Sequence, residues 1–159
     1  MFTIQPKKDL PDSLKKKFQI AIVFSNWHTD VVQNLLSGAT KACQEKGISE
    51  EQIHYYSAPG AYELPQLVER LARTKKFSAI VPLGCVIRGE TTHYDLIVET
   101  ISKALDQIGR SHNLPVSFGI LTVENLEQAL DRAGGNKGNK GAEAVHAALE
   151  LAAEFERVQ

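Results

Sequence analysis

Between Arg88 and His93 the chain carries an arginine, a glycine, a carboxylate, two threonines and an imidazole in succession. Imidazole titrates near neutrality and can both take and give a proton, which is why catalytic acid-base groups are so often histidines. Ala79 to Cys85 ahead of this stretch is a nearly unbroken apolar run, as in a buried parallel strand. After it Leu96, Ile97, Ile101, Ala104, Leu105 and Ile108 recur at helical spacing. Val86 to Asp95 therefore reads as a strand-to-helix turn, in which Gly89 lets the backbone bend sharply or approach a ligand closely. Open parallel sheets place small ligands at such turns, and the free N-H groups of the helix start attract anions. The expected chemistry is proton transfer on a phosphate-bearing substrate. Taken alone, His93 fits a helix-capping or packed histidine as well; Arg88, Glu90 and the threonines beside it favour function. His28, His54, His112 and His146 lack such company and read as structural.

The rest of the chain alternates strand and helix. Ile20 to Phe24 is a first buried strand, Ser25 to Asp30 a polar turn, and Val31 to Lys46 an amphipathic helix stopped at Gly47. Ile53 to Tyr56 is a second strand, followed by a helix from about Pro65 to Arg73. The third strand and its turn lead into a helix from about Tyr94 to Ser111. Pro115 to Leu121 is strand four, Asn125 to Ala133 a short helix, and Ala142 to about Arg157 a terminal helix. This order implies a three-layer α/β/α sandwich: a four-stranded parallel sheet, right-handed crossovers and helices on both faces. Met1 to Lys17 reads as an extended arm, with Phe2 and Ile4 able to pair at a sheet edge or reach a neighbouring subunit. Lys15-Lys16-Lys17 reads as a solvated edge.

At 159 residues, 43% apolar and 23% charged, the chain suits a single domain over 1–159. A formal net charge of -1 gives no reason to expect nucleic acid or an anionic membrane as a partner. Cys43 and Cys85 lack the spacing of a disulfide framework or a zinc site, so no metal is expected and a reducing cytoplasm fits best. No stretch has signal-peptide character or the length of a membrane span.

Further residues lie near the predicted strand ends. Arg132 and Lys140 flank the glycine-rich run Gly134 to Gly141, which can hold a phosphate by charge and backbone N-H groups or serve simply as a solvated loop. It matches neither G-x-x-x-x-G-K-[ST] nor G-x-G-x-x-G, so a nucleotide fingerprint is excluded. Trp27 can stack on a flat heterocycle or merely pack. Glu63 can accept ligand hydroxyls or stabilise a helix start. Phe118 falls on the core face by its period of two.

Read together, Pro59-Gly60-Ala61-Tyr62-Glu63-Leu64-Pro65, Leu83 to Tyr94, Phe118-Gly119-Ile120-Leu121-Thr122, Glu127-Gln128-Ala129, Arg132-Ala133-Gly134 and Gly138-Asn139-Lys140-Gly141 resemble the lumazine synthase family, in unchanged order from about Gln19 to Glu150. The resemblance implies a flavodoxin-like fold and a step of riboflavin synthesis. In that step 5-amino-6-(D-ribitylamino)uracil joins 3,4-dihydroxy-2-butanone 4-phosphate, with loss of phosphate and water and without metal or organic cofactor. It further implies a homo-oligomer, a pentamer that in some members packs into an icosahedral shell.

Carried over by residue, the resemblance makes His93 the proton-transfer histidine and Trp27 the aromatic stacked on the pyrimidine. Ala61, Tyr62 and Glu63, with Cys85, Val86 and Ile87, hold the pyrimidine and its ribityl chain. Glu90 and Thr91 receive the butanone phosphate, Arg132 supplies its main positive charge and Lys140 assists. Phe118 closes the pocket and, like Arg132 and Lys140, comes from the adjacent subunit. Three departures from the family pattern stand out: Trp27 is commonly phenylalanine, Cys85 is often threonine, and Asn136-Lys137 alters the glycine loop without changing its length. The larger indole leaves room for a flavin-binding carrier on the same scaffold. A purely structural shell is a third alternative, against which the intact His93, Arg132 and Lys140 speak.

Overall fold

The computed structural model describes residues 9–159; the expectation for Phe2 and Ile4 lies outside them. Among the described residues four strands, β1 (Ile20–Ser25), β2 (Ile53–Ala58), β3 (Ala79–Ile87) and β4 (Gly119–Val123), form one parallel sheet in the order β2-β1-β3-β4. Ile20 pairs with Ile53 on one side and Ala79 on the other, and Leu83 pairs with Gly119. The inner strands are apolar nearly throughout because helices cover both faces, whereas edge strand β2 alternates buried and more exposed residues.

Alternation along β1 divides the core. Ile20 and Ile22 join Leu35, Cys43, Val81, Leu83 and Leu149 on one face; Ala21 and Val23 join Val68, Ile80, Ile101 and Leu105 on the other. The first cluster is covered by α2 (Thr29–Glu45) and α6 (Lys140–Val158), the second by α3 (Leu64–Ala72) and α4 (His93–Ser111). Each fully buried leucine or isoleucine stabilises the fold by roughly 1.5–3 kcal/mol relative to exposure. The three-layer α/β/α arrangement is therefore the consequence of two apolar sheet faces. At the end of α2, Gly47 adopts φ +84°, and the N-H groups of Gly47 and Ile48 donate to the carbonyls of Gln44 and Cys43. Buried Ile48 completes this helix stop, which matches the sequence expectation.

Several local expectations are corrected. Asp12–Lys17 is a helix, α1, rather than extended arm. Asp12 in its first turn and three lysines in its last complement the helix dipole, and Gln52 Nε2 donates to the carbonyls of Lys15 and Phe18, both at 2.7 Å. The strand before His93 continues to Ile87, so Val86 and Ile87 belong to the ladder, opposite Thr122 and Val123. Strand four begins regularly only at Gly119 and runs to Val123; ahead of it Val116 makes an isolated bridge to Ile80. Pro115 lacks an N-H to donate to a ladder. The glycine run is not a plain loop: β5 (Ala133–Gly135) and β6 (Gly138–Asn139) pair as an antiparallel ribbon, turned by positive φ at Gly134 and Gly138. Between β4 and this ribbon lies α5 (Leu126–Arg132).

Candidate functional site

Parallel strands bring the ends of β1, β2 and β3 to one rim, where a cavity of about 380 Å³ opens. Trp27 and His28 reach it from the end of β1, Ala61, Tyr62 and Glu63 from the turn after β2, and Cys85, Val86 and Ile87 from β3; Thr91 and His93 close it at the start of α4. Trp27 is 68% exposed, an unusual position for an indole that serves only packing. Its ring lies against Gly60, where a methyl group would sit 3.2 Å from Trp27 Cδ1 and 3.1 Å from Glu63 Oε2. A side chain is missing there, and the indole and the carboxylate use the space. Glu90 is exposed in the same turn but does not line the cavity. Burial pushes the Cys85 thiol up to about 11, so at neutral pH it is a packed, protonated group and not a nucleophile.

His93 is the first residue of α4, and its side chain is exposed. The preceding Thr92 makes no side-chain cap, and the His93 N-H reaches Thr91 Oγ1 only at 3.4 Å. Arg88 points elsewhere: it pairs with Asp95 and Glu124 and lies over the Tyr94 ring at 4.3 Å.

Phe118, Arg132 and Lys140 do not share the His93 cavity. They line a second one, also about 380 Å³, with Thr122, Val123, Lys137 and Glu143. Arg132 Nη1 donates to the Gln128 carbonyl at 3.1 Å, and among the described residues no carboxylate forms an ion pair with it. Lys140 Nζ reaches Glu143 only at 3.9 Å. Three cations against one carboxylate leave this cavity suited to an anion. Asn139 fixes the lysine beside it by capping α6 at the Ala142 N-H and donating to the Asn34 carbonyl. Lys137 was overlooked as a lining cation; its spacing of three from Lys140 within the glycine run was the available signal. His28, expected to be structural, lines the first cavity as well, and so do Gly60 and Tyr94, which belong to the motifs of the resemblance but carry no assigned role there.

A larger open groove of about 980 Å³ lies at the opposite, amino-terminal ends of the strands, between Phe18, Phe77, Leu114 and Phe155, and holds none of the predicted site residues. Among the described residues no cluster of His, Cys, Asp or Glu could hold a metal ion, and no helix is long and apolar enough to cross a membrane.

Residues 17–156 match the family model of 6,7-dimethyl-8-ribityllumazine synthase. The chain is 42% identical over 153 residues to the 6,7-dimethyl-8-ribityllumazine synthase of Leuconostoc mesenteroides subsp. mesenteroides, covering 96% of this chain and 97% of that one. It is 40% identical over 156 residues to the protein of the same name from Prosthecochloris aestuarii, covering 98% and 99%. The crystal structure of the RadB recombinase aligns with a TM-score of 0.37 at 16% identity over 70% of this chain and 51% of that one, a likeness too slight to bear on the fold. The sequence match spans both cavities and every element that forms them, and on that ground the chain belongs to the 6,7-dimethyl-8-ribityllumazine synthase family.

Proposed function

We propose that this chain makes 6,7-dimethyl-8-ribityllumazine in riboflavin synthesis, condensing 5-amino-6-(D-ribitylamino)uracil with 3,4-dihydroxy-2-butanone 4-phosphate, in a site shared between two copies of the chain. The family match over residues 17–156 carries the reaction. The separation of the residues into two cavities supports the sharing, because His93 and Arg132 line different cavities of one chain. A neighbouring copy brings its Phe118, Arg132 and Lys140 against the cavity of Trp27 and His93. Repeated around a ring, the same contact gives a pentamer, and a glycine ribbon without insertion favours rings packed into an icosahedral shell. The protein works in the cytoplasm, without metal, cofactor, nucleic acid or membrane partner.

In this reading the pyrimidine stacks on Trp27, and Ala61, Tyr62 and Glu63 hold it and its ribityl chain beside Cys85, Val86 and Ile87. The butanone phosphate lies between Thr91 with Glu90 and the neighbour's Arg132 and Lys140. The amine attacks the ketone and water leaves to give an imine. Loss of the proton from the neighbouring carbinol carbon expels phosphate and leaves an enol, which tautomerises to a new ketone. The second amine closes the ring onto that carbonyl with loss of a second water. No step requires a protein nucleophile. Holding the two reactants in register supplies most of the acceleration, on the order of 7–11 kcal/mol in ideal intramolecular models. His93 relays protons between the departing and attacking groups, worth about 10² to 10⁴-fold. Arg132 stabilises the phosphate as it leaves.

The test is to incubate the purified protein with both substrates and follow lumazine fluorescence, with light scattering on the same sample. Lumazine formation by a particle the size of a pentamer or larger supports the proposal. Tight riboflavin binding without turnover would establish the carrier instead. A large shell with neither binding nor turnover would establish a structural role. Turnover by a monomer would overturn the shared site.

A further inference from the structure

The start of α4, which carries His93, has little to hold it. Thr92 provides no side-chain cap, Thr91 through His93 are exposed, and nothing lies within 4 Å of a Cβ placed at Gly89. Helix starts without a cap fray. Arg88, which the reaction above leaves without a part, is placed to supply the missing anchor. Its N-H donates to the Val123 carbonyl at 2.8 Å, continuing the β3–β4 ladder and fixing its own backbone on the sheet. From there the guanidinium reaches both Asp95 oxygens, at 3.3 and 3.2 Å, and stacks on the Tyr94 ring, so it grips the two residues that follow His93. Its Nε donates to Glu124 at the end of β4, which holds the fork in plane.

The contacts continue past Glu124. Its backbone N-H donates to Gln128 Oε1 at 2.8 Å, and the Gln128 carbonyl accepts from Arg132. One polar chain thus joins the first turn of the His93 helix to the arginine of the second cavity. Exposed ion pairs contribute little to folding, and Arg88, Asp95 and Glu124 are all partly or largely exposed. A bidentate fork stacked on an aromatic ring does impose geometry, which a lysine at this position would not.

We propose that Arg88 is a positioning residue that holds the His93 imidazole against the reacting atoms by clamping Tyr94 and Asp95. This rests on the proton-transfer reading of His93. Arg88→Met should lower kcat about 10-fold, since small misplacements of a catalytic group are costly, and leave KM for the pyrimidine amine within about 2-fold. Arg88→Lys should fall between Arg88→Met and wild type. Asp95→Asn, which loosens the clamp from its other end, should repeat the kcat loss, and thermal melts should show all three variants folded.

The deciding measurement is made in a His93→Ala background, where Arg88→Met should cost less than about 2-fold further, because the group it positions is gone. The same loss in both backgrounds would overturn the proposal, as would wild-type kcat in Arg88→Met and Asp95→Asn while His93→Ala is slow. Wild-type speed in His93→Ala itself would instead remove the reading on which the clamp depends.

Discussion

Gly60→Ala tests the geometry of the pyrimidine half-site without deleting any group proposed to bind. Gly60 is buried with φ -148° and ψ 179°, extended backbone that alanine adopts without strain. The added methyl would lie 3.1 Å from Glu63 Oε2, 3.2 Å from Trp27 Cδ1 and 3.5 Å from Trp27 Nε1, so each neighbour must retreat by a few tenths of an ångström. Both are mobile: Trp27 is 68% exposed and Glu63 meets the methyl with the tip of its side chain. The stability cost should therefore stay below the roughly 1–3 kcal/mol of a rigid overpacked core. The displaced indole also costs binding. Stacking a base on an aromatic ring is worth about 1–3 kcal/mol, and a gap of 0.5–1 Å forfeits roughly a quarter to a half of a dispersion contact. The product is about 0.3–1.5 kcal/mol, or roughly 1.5- to 12-fold in Kd. Isothermal titration with 6,7-dimethyl-8-ribityllumazine reads this directly, with Trp27→Ala setting the ceiling. Wild-type affinity in Gly60→Ala beside a weak Trp27→Ala would refute the steric argument; wild-type affinity in both would take the indole out of the site.

His93→Ala should slow single-turnover lumazine formation by about 10² to 10⁴-fold without abolishing it, since positioning survives; wild-type speed would end the imidazole's role. Arg132→Ala should act chiefly on KM for the butanone phosphate, and losing one charge-assisted contact predicts about 1.5–3 kcal/mol, read from initial rates at varied phosphate substrate. Gly119→Ala should destabilise the fold by roughly 1–3 kcal/mol in urea titration, because its methyl would meet the Pro82 carbonyl oxygen at 2.7 Å, Leu83 Cδ2 at 2.6 Å and Ala144 Cβ at 3.1 Å. Burial raises the Cys43 thiol from 9.0 to about 12 and that of Cys85 to about 11. Unfolded thiols ionise first, so this stability is fully present below pH 9 and is lost as pH climbs toward 11–12. Urea midpoints should fall across that window, and less steeply in Cys85→Ala; an identical slope would show that Cys85 does not contribute.

The strands and both sheet faces were legible because burial imposes a period on the sequence: apolar runs for the inner strands, 3.6-residue spacing for the helices that cover them, and Gly47 where a left-handed residue must end α2. The rim residues Trp27, Glu63, Cys85 and His93 were legible for a related reason, since in a parallel sheet the strand ends converge whatever the details of the turns. What escaped depended on contacts distant in sequence. The helix at Asp12–Lys17 is secured by Gln52 from across the fold, which no local pattern announces. Gly60 looked like a turn glycine, yet its lack of a side chain is explained by Trp27 more than thirty residues earlier in the chain. Arg88 stood beside His93 in sequence as a candidate for the same chemistry, and only the fold turned it toward Asp95, Tyr94 and Glu124. Sequence determined which residues gather at the rim, because chain direction in a parallel sheet leaves no choice. Tertiary structure alone decided that Arg132 and Lys140 open into a cavity apart from His93 within one chain, because Arg132 ends α5 and Lys140 begins α6, on either side of the ribbon that follows β4, away from the rim formed by the ends of β1, β2 and β3.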